Sequence, residues 1–333
     1  MSASVTHASG PSERRDGVLR VGTRGSALAV AQTTVVANAI AKATGHDVEL
    51  VRVTTHGDTS RESLSELGGT GVFVTALREA LLGGECDLIV HSLKDLPTGE
   101  APGLVIGAVP KRADARDALC ARDGFTLETL PEGARVGTGS PRRIAQLKAR
   151  RPDLDVVDIR GNVDTRLGRV VEGDLDAVIL AAAGLGRLGR SDVVTDSFPL
   201  SEVPTAPGQG ALAVEVRVAD AKGHGPIAKA LAALDHATTH ACVIAEREVL
   251  AGLEAGCAAP IGATALVDDG LLFLTATVYR PDGSAQLTAS HAATPDSMSR
   301  HDLETAARDV GRRAVDELLA AGAAEFAPLG GDR

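Results

Sequence analysis

The chain has 333 residues, enough for two or three domains of ordinary size, and at 44% apolar against 23% charged it has the balance of a globular protein. Its net charge is −10, with no Trp, one Tyr and five Phe. That argues against nucleic-acid and anionic-membrane partners, because there is no field to attract phosphates and there are few rings on which bases could stack. Cys86, Cys120, Cys242 and Cys257 form no C-x-x-C pair, so neither a zinc site nor a dithiol motif is indicated and no metal is expected. So few cysteines make no disulfide framework and fit a reducing cytoplasm. Residues 1–16 are polar, with Ser, Gly and Pro, and read as a disordered tail, and no run is long enough to span a bilayer.

In chain order, Leu19-Arg20-Val21 is a short strand running into Gly22-Thr23-Arg24-Gly25-Ser26, and a long helix follows from Ala27 to Thr44, with Ser26 as N-cap and Gly45 as stop. Val48–Val53 alternates as a strand. Thr54–Gly71 is too long for a plain connection and reads as a lid or a disordered segment. Val72–Leu82 is a helix, and Leu88-Ile89-Val90 a buried strand. A second round opens near residue 113: strand Ala134–Val136, a helix from Pro141 with Ser140 as N-cap, strand Val156–Ile159, a helix over Val163–Glu172, and strand Asp176–Ala182. The same order of elements twice over implies two similar α/β domains. Pro204–Gly210 reads as a hinge, and Ala211–Val218 as a strand returning to the first domain. Helices near Pro226–Asp235 and Ala237–Leu253, strands around Ala263–Val267, Leu271–Tyr279 and Gln286–Ala293, and a last helix at Leu303–Ala320 make an α+β domain.

Chemistry concentrates in three places. The heptad His91-Ser92-Leu93-Lys94-Asp95-Leu96-Pro97 ends a buried strand in a loop that holds a carboxylate beside an ammonium, and ligands of open sheets collect at such carboxyl ends. Arg24, Arg142, Arg143, Arg160, Arg166 and Arg187 all fall at strand-to-loop or loop-to-helix junctions. Cations are locally unfavourable at helix N-termini unless an anion arrives, and arginine grips carboxylates through paired donors, so the set implies a polyanionic ligand. Cys257 lies in a Gly- and Pro-bounded loop, Glu254–Gly262, where its thiol is either an inert loop group or a nucleophile or covalent anchor. Gly184–Gly189 matches G-x-G-x-x-G, but no convincing helix or spaced acid follows, which argues against a dinucleotide fingerprint. His236 and His240 lack an intervening glutamate and read as core or capping residues.

Together these elements resemble the porphobilinogen deaminase family, from about Leu19 to the last helix. The resemblance rests on Thr23–Ser26, His91–Pro97, Val136–Arg143, Arg160-Gly161-Asn162 with Thr165-Arg166-Leu167, Ala183–Gly189, Gly208-Gln209-Gly210 and the Cys257 loop. It implies an enzyme that joins four porphobilinogens into a linear tetrapyrrole with loss of ammonia, priming on a dipyrromethane cofactor bound as a thioether to Cys257. It further implies Asp95 as the catalytic carboxylate, stabilising positive charge as ammonia leaves. Arg142 and Arg143, with Lys94, Ser92, Ser140 and Thr138, would then hold cofactor, and Arg24, Ser26, Arg160, Asn162, Arg166, Arg187 and Gln209 would hold substrate. The acetate and propionate on every pyrrole explain arginines gathered in an acidic protein. His56, Glu66 and Thr70 depart from the family's commoner residues in the long loop, and Gly139 and Pro141 depart beside the arginine pair.

The implied fold is two α/β domains like the type-2 periplasmic binding proteins, at 17–112 with 211–228 and at 113–204, plus a smaller α+β domain at 229–333 that presents the cofactor loop. The expected protein is a cytoplasmic monomer. The competing reading is a two-lobed small-anion binding protein or sensor without catalysis.

Overall fold

The structure is a computed structural model that describes residues 3–8, 14–53, 71–256 and 259–329. The chain divides into two compact units, residues 1–112 with 211–240, and 113–210 with 241–333. The lid segment expected at Thr54–Gly71 (with His56, Glu66 and Thr70) lies outside the described residues apart from Gly71, and Cys257 lies outside them as well.

The first unit is built on a six-stranded sheet. Its strands are β1 (Val5–Ala8), β2 (Val18–Arg24), β3 (Asp47–Val53), β4 (Leu88–Ser92), β5 (Leu104–Ala108) and β11 (Leu212–Arg217), in the order β1-β3-β2-β4-β11-β5. β2 is parallel to β3 and to β4, while β11 runs antiparallel between β4 and β5. The returning strand therefore lands in the first unit, as its apolar alternation predicts. Helices cover both faces, so β2 and β4 are buried along nearly their whole length, Arg20 and Thr23 of β2 included. On one side α1 (Ala27–Thr44) contributes Val36, Ala37, Ile40 and Ala41, and α7 (Pro226–Leu234), which follows the short α6 (Val218–Ala221), contributes Ala230, Leu231 and Leu234. On the other, Leu77, Ala80 and Leu81 of α2 (Gly71–Leu82) pack on Cys86, Ile89 and Leu104.

Two expectations need correction here. Residues 5–8 are not part of a disordered tail: β1 adds to the β3 edge in parallel, and Ser4 N and Oγ donate to Asp47 Oδ1 at 2.7 and 2.8 Å. A domain boundary at 228/229 comes too early, because α7 completes the first unit's core and that unit extends to His240.

The second unit repeats the plan. Strands β6 (Asp117–Ala121), β7 (Arg135–Gly137), β8 (Asp155–Val157), β9 (Ala177–Ala181) and β10 (Asp196–Ser197) lie in the order β10-β6-β9-β7-β8. β7 is parallel to β8 and β9, and β6 is antiparallel to β9 and β10. Read from the other end, this is the first sheet without β1, strand for strand and direction for direction. The two like α/β sheets expected from the sequence are therefore present. Leu147 of α3 (Pro141–Arg150) covers one face, and Leu167 of α4 (Val163–Val171) with Leu185 of α5 (Ala182–Arg187) covers the other.

The same unit holds the antiparallel sheet β12 (Ile261–Asp268), β13 (Leu271–Tyr279) and β14 (Gln286–Ala293), on which α9 (Arg300–Ala320) packs. This is the smaller α+β element. The helix α8 (Ala237–Gly252) leads into it, and His236 and His240 cap and pin the start of that helix, as expected. His240 Nδ1 sits 2.7 Å from Asp235 Oδ1, and Thr239 N donates to His236 Nδ1.

Candidate active site

In the first unit the candidate side chains stand at the carboxyl ends of β2 and β4. Arg24 is the last residue of β2, not part of the following helix, and it is half-buried. Ser26 caps α1 by accepting from Ala29 N at 3.3 Å. Ser92 closes β4, and a single 3-10 turn, Leu93–Asp95, follows. Leu93 is fully buried and its N–H donates to Ala211 O, so the turn is riveted to the returning strand. That leaves Lys94 half-buried and Asp95 exposed. Among the described residues no hydrogen bond or ion pair is shown for the Asp95 carboxylate. A carboxylate held by its backbone with both oxygens open suits contact with a ligand rather than a structural role.

Beneath this turn lies a buried charged set. Glu215 on β11 accepts from Arg78 Nε at Oε2 and from Nη2 at Oε1, at 3.0 and 2.8 Å, and His91 Nε2 stands 3.2 Å from the same Oε2. Burial pushes the Glu215 carboxyl up, but hydrogen bonds from His91 and Arg78 outweigh it and hold it below the usual range.

In the second unit the loops after β7, β8 and β9 carry the candidates. Thr138 is buried just past β7, and its Oγ1 accepts from Ser140 N at 3.3 Å. Ser140 caps α3, accepting from Arg143 N, with Pro141 at the first helical position as expected. Asn162 proves to be the N-cap of α4, its Oδ1 accepting from Thr165 N at 2.9 Å. Arg187 closes α5, a position favourable to a cation, so the G-x-G-x-x-G run starts as a short helix rather than a phosphate loop.

Arg142 and Arg143 are buried in the first turn of α3, where the helix dipole opposes them. The counter-charge is Asp117, the first residue of β6, which the sequence reading did not single out. Arg142 Nη1 donates to Asp117 Oδ2 at 2.8 Å and Arg143 Nη2 to Oδ1 at 2.6 Å. Gln209, also buried, donates to the same Oδ1 at 2.8 Å and to Ala115 O. Burial would raise the Asp117 carboxyl, yet the two guanidinium groups hold it far below its ordinary value. Arg142 makes further bonds to Gln146 Oε1 and Pro204 O, while its buried Nε has no partner among the described residues. Gly210 closes this turn with φ +85°, where a Cβ would meet Ala113 O at 2.8 Å. Glu246 ties the turn to β12 by accepting from Gly208 N and Ala265 N at 2.7 and 2.8 Å.

The remaining cations stand differently. Arg166 donates to Gly161 O and Arg187 to Gly210 O, and neither has a carboxylate partner among the described residues. Burial lowers the hold of both on their protons, and for Arg166 the nearby Arg143 and Arg160 add to it. Arg160 is exposed, with its Nε 3.5 Å from Asp158. One carboxylate for two buried arginines, together with half-buried arginines that have none, leaves an excess of positive charge at the strand ends. The chemistry of this donor set fits a group carrying several carboxylates, as dipyrromethane does.

The fold and site thus define a two-unit α/β protein that presents one open acid and a cluster of cations at the carboxyl ends of its strands. The chain belongs to the porphobilinogen deaminase family. The family model "porphobilinogen deaminase, dipyromethane cofactor binding domain" matches residues 19–224, and "porphobilinogen deaminase, C-terminal domain" matches 240–320. A porphobilinogen deaminase of Leifsonia xyli subsp. xyli is 76% identical, covering 97% of this chain and 98% of its own length. That of Thermobifida fusca is 54% identical over 91% and 94%, and porphobilinogen deaminase 1 of Streptomyces coelicolor 53% over 92% and 96%. Among solved structures, the methionine binding protein MetQ overlaps 66% of this chain and 90% of its own at 12% identity and a TM-score of 0.43.

Proposed function

We propose that Asp95 is the catalytic carboxylate and that the second unit's arginines receive the carboxylates of cofactor and substrate. The activity is that of a hydroxymethylbilane synthase, EC 2.5.1.61: a transferase that condenses four porphobilinogens head to tail with loss of ammonia and releases the linear tetrapyrrole, a step of porphyrin and heme biosynthesis. Its cofactor is dipyrromethane, whose terminal pyrrole supplies the carbon nucleophile that accepts the first substrate.

Asp95 accepts hydrogen bonds from the pyrrole N–H of porphobilinogen and stabilises the positive charge that grows as ammonia departs, an electrostatic role that requires open oxygens on a fixed backbone. The same carboxylate is placed to accept the proton lost when the ring regains aromaticity. Lys94 and Ser92 on the same turn, with Arg142, Arg143, Ser140 and Thr138, hold cofactor. Arg24, Ser26, Arg160, Asn162, Arg166, Arg187 and Gln209 hold substrate, through guanidinium pairing with carboxylates or by fixing the loops that carry it. Cys257 forms the thioether. Residues from 241 onward form the smaller domain that carries it.

The protein works as a cytoplasmic monomer. Cys86, Cys120 and Cys242 form no disulfide among the described residues, which suits a reducing compartment, and no helix of the described residues is long and apolar enough to cross a membrane. The net charge of −10 speaks against nucleic acid as a partner.

The observation that carries this reading is the pair Arg166 and Arg187, half-buried cations whose hydrogen bonds, among the described residues, go to backbone carbonyls. Intact mass spectrometry tests it. The purified protein should exceed its sequence mass by one dipyrrole, and Cys257→Ser should lack the excess. An active protein at the bare chain mass would refute the assignment.

A further inference from the structure

Resting on the reading that Arg160 and Arg166 receive ligand carboxylates, we propose that Asp158 determines specificity there: it is a resident carboxylate that occupies the cationic patch and yields to an arriving one. Asp158 follows β8 directly, two residues before Arg160, and its Oδ2 lies 3.5 Å from Arg160 Nε. Its other oxygen lies close beside Gly139. A Cβ on Gly139 would stand 3.0 Å from Asp158 Oδ1 and 2.7 Å from Ile159 O, so a side chain at 139 would evict the acid or shift the strand end. Gly139 immediately precedes Ser140, the N-cap of α3, so the carboxylate rests beside the start of the helix that carries Arg142 and Arg143.

Its electrostatic partners go beyond Arg160. Arg143 and Arg160 both weaken the hold of Arg166 on its proton, and Asp158 is the acid that opposes them. Asp158 thus stands where a ligand carboxylate would find the same guanidinium groups, but on a tether. The pair is loose, with 52% and 59% of the two side chains exposed, so the acid swings away without breaking a buried contact.

A competitor of this kind sets a threshold. A ligand with one carboxylate gains little by displacing it, whereas one that engages several arginines at once displaces it readily. The same competition weakens the grip on a finished, carboxylate-rich product and favours its release. Exposed ion pairs of this type shift equilibria by roughly 1.5- to 5-fold, so the effect on affinity should have that size.

The test uses the loaded enzyme and its Asp158→Asn, Asp158→Ser, Asp158→Glu, Arg160→Gln and Arg166→Gln variants. Two quantities are read: KM for porphobilinogen, and the dissociation constant of glutarate from its effect on the melting temperature. Asp158→Asn and Asp158→Ser should lower both by about 1.5- to 5-fold, and Asp158→Glu should restore the parent values. A residue that merely supported the loop would weaken binding when replaced, not tighten it. Unchanged or weaker glutarate binding in both neutral variants, with weakened binding in the arginine variants, would overturn the inference alone. If the arginine variants bind glutarate as the parent does, the carboxylate-binding reading falls and the inference falls with it.

Discussion

Arg143 Nη2 lies 2.6 Å from Asp117 Oδ1, and Arg142 reaches the opposite oxygen of the same carboxylate at 2.8 Å, so one buried acid holds two cations in the first turn of a helix. Replacing Asp117 by Asn leaves two guanidinium groups buried beside a neutral amide. Removing one partner of a buried ion pair typically costs about 3–5 kcal/mol. Asp117→Asn should therefore lower the urea midpoint by that equivalent, with the loss concentrated in the second unit. A midpoint within experimental error of the parent would mean that the arginines are held by other contacts.

The pH profile follows from two acids. Asp117 and Glu215 are both held below their ordinary values of 3.8 and 4.5, despite burial that would raise them, because arginines (and, for Glu215, His91) favour the charged form. A carboxyl depressed in the folded state contributes stability above its unfolded value and loses it as the pH falls through the folded one. Unfolding free energy should therefore hold steady from neutrality to about pH 5 and decline progressively below 4.5. Urea midpoints taken between pH 7 and 3 check this, and a midpoint that rises on acidification would contradict it.

Asp95→Ala should separate chemistry from folding. Asp95 is exposed on the turn, whereas Leu93 and Leu96, which anchor that turn, are buried. The variant should melt with the parent protein while turnover drops by on the order of 10²–10³-fold or more, the loss expected when a group stabilising transition-state charge is removed. Steady-state assay beside thermal melting reads both, and turnover near the parent rate would take Asp95 out of the mechanism.

Thiol chemistry offers an independent check on the cofactor. Burial pushes the Cys86 thiol up to about 12 and that of Cys120 to about 11, and Cys242 is buried as well. Such thiols are poor nucleophiles at neutral pH. Native loaded protein should therefore give no fast-reacting thiol with a disulfide reagent, and denatured loaded protein should yield every cysteine except Cys257. Release of all four on denaturation, in a fully active preparation, would rule out a thioether.

What could be read from the sequence follows a physical division. Caps and periodicities are local, so Ser26 and Ser140 as N-caps, the limits of α1, and β13 and β14 were all legible. The returning strand was legible from its alternation alone. β5, β6 and β10 were not, because they are short and take their partners from distant segments. Asp117 escaped for the same reason: an aspartate at the head of an apolar strand looks like a solvated strand entry until the fold brings Arg142, Arg143 and Gln209 around it. The arginine pattern pointed to an anion, but the sequence could not separate Arg142 and Arg143, which share an internal counter-ion, from Arg166 and Arg187, which rest on carbonyls.

β11 is threaded into the first sheet between β4 and β5, although more than a hundred residues separate it from either. During synthesis the amino-terminal sheet must therefore wait, with an open slot and with Arg78 and His91 lacking their shared acid, until the intervening residues 113–210 have left the ribosome. The turn Leu93–Asp95 is fixed only when Ala211 arrives to receive the Leu93 amide. A nascent or truncated chain ending before that point carries the sequence around Asp95 without the scaffold that aims its carboxylate.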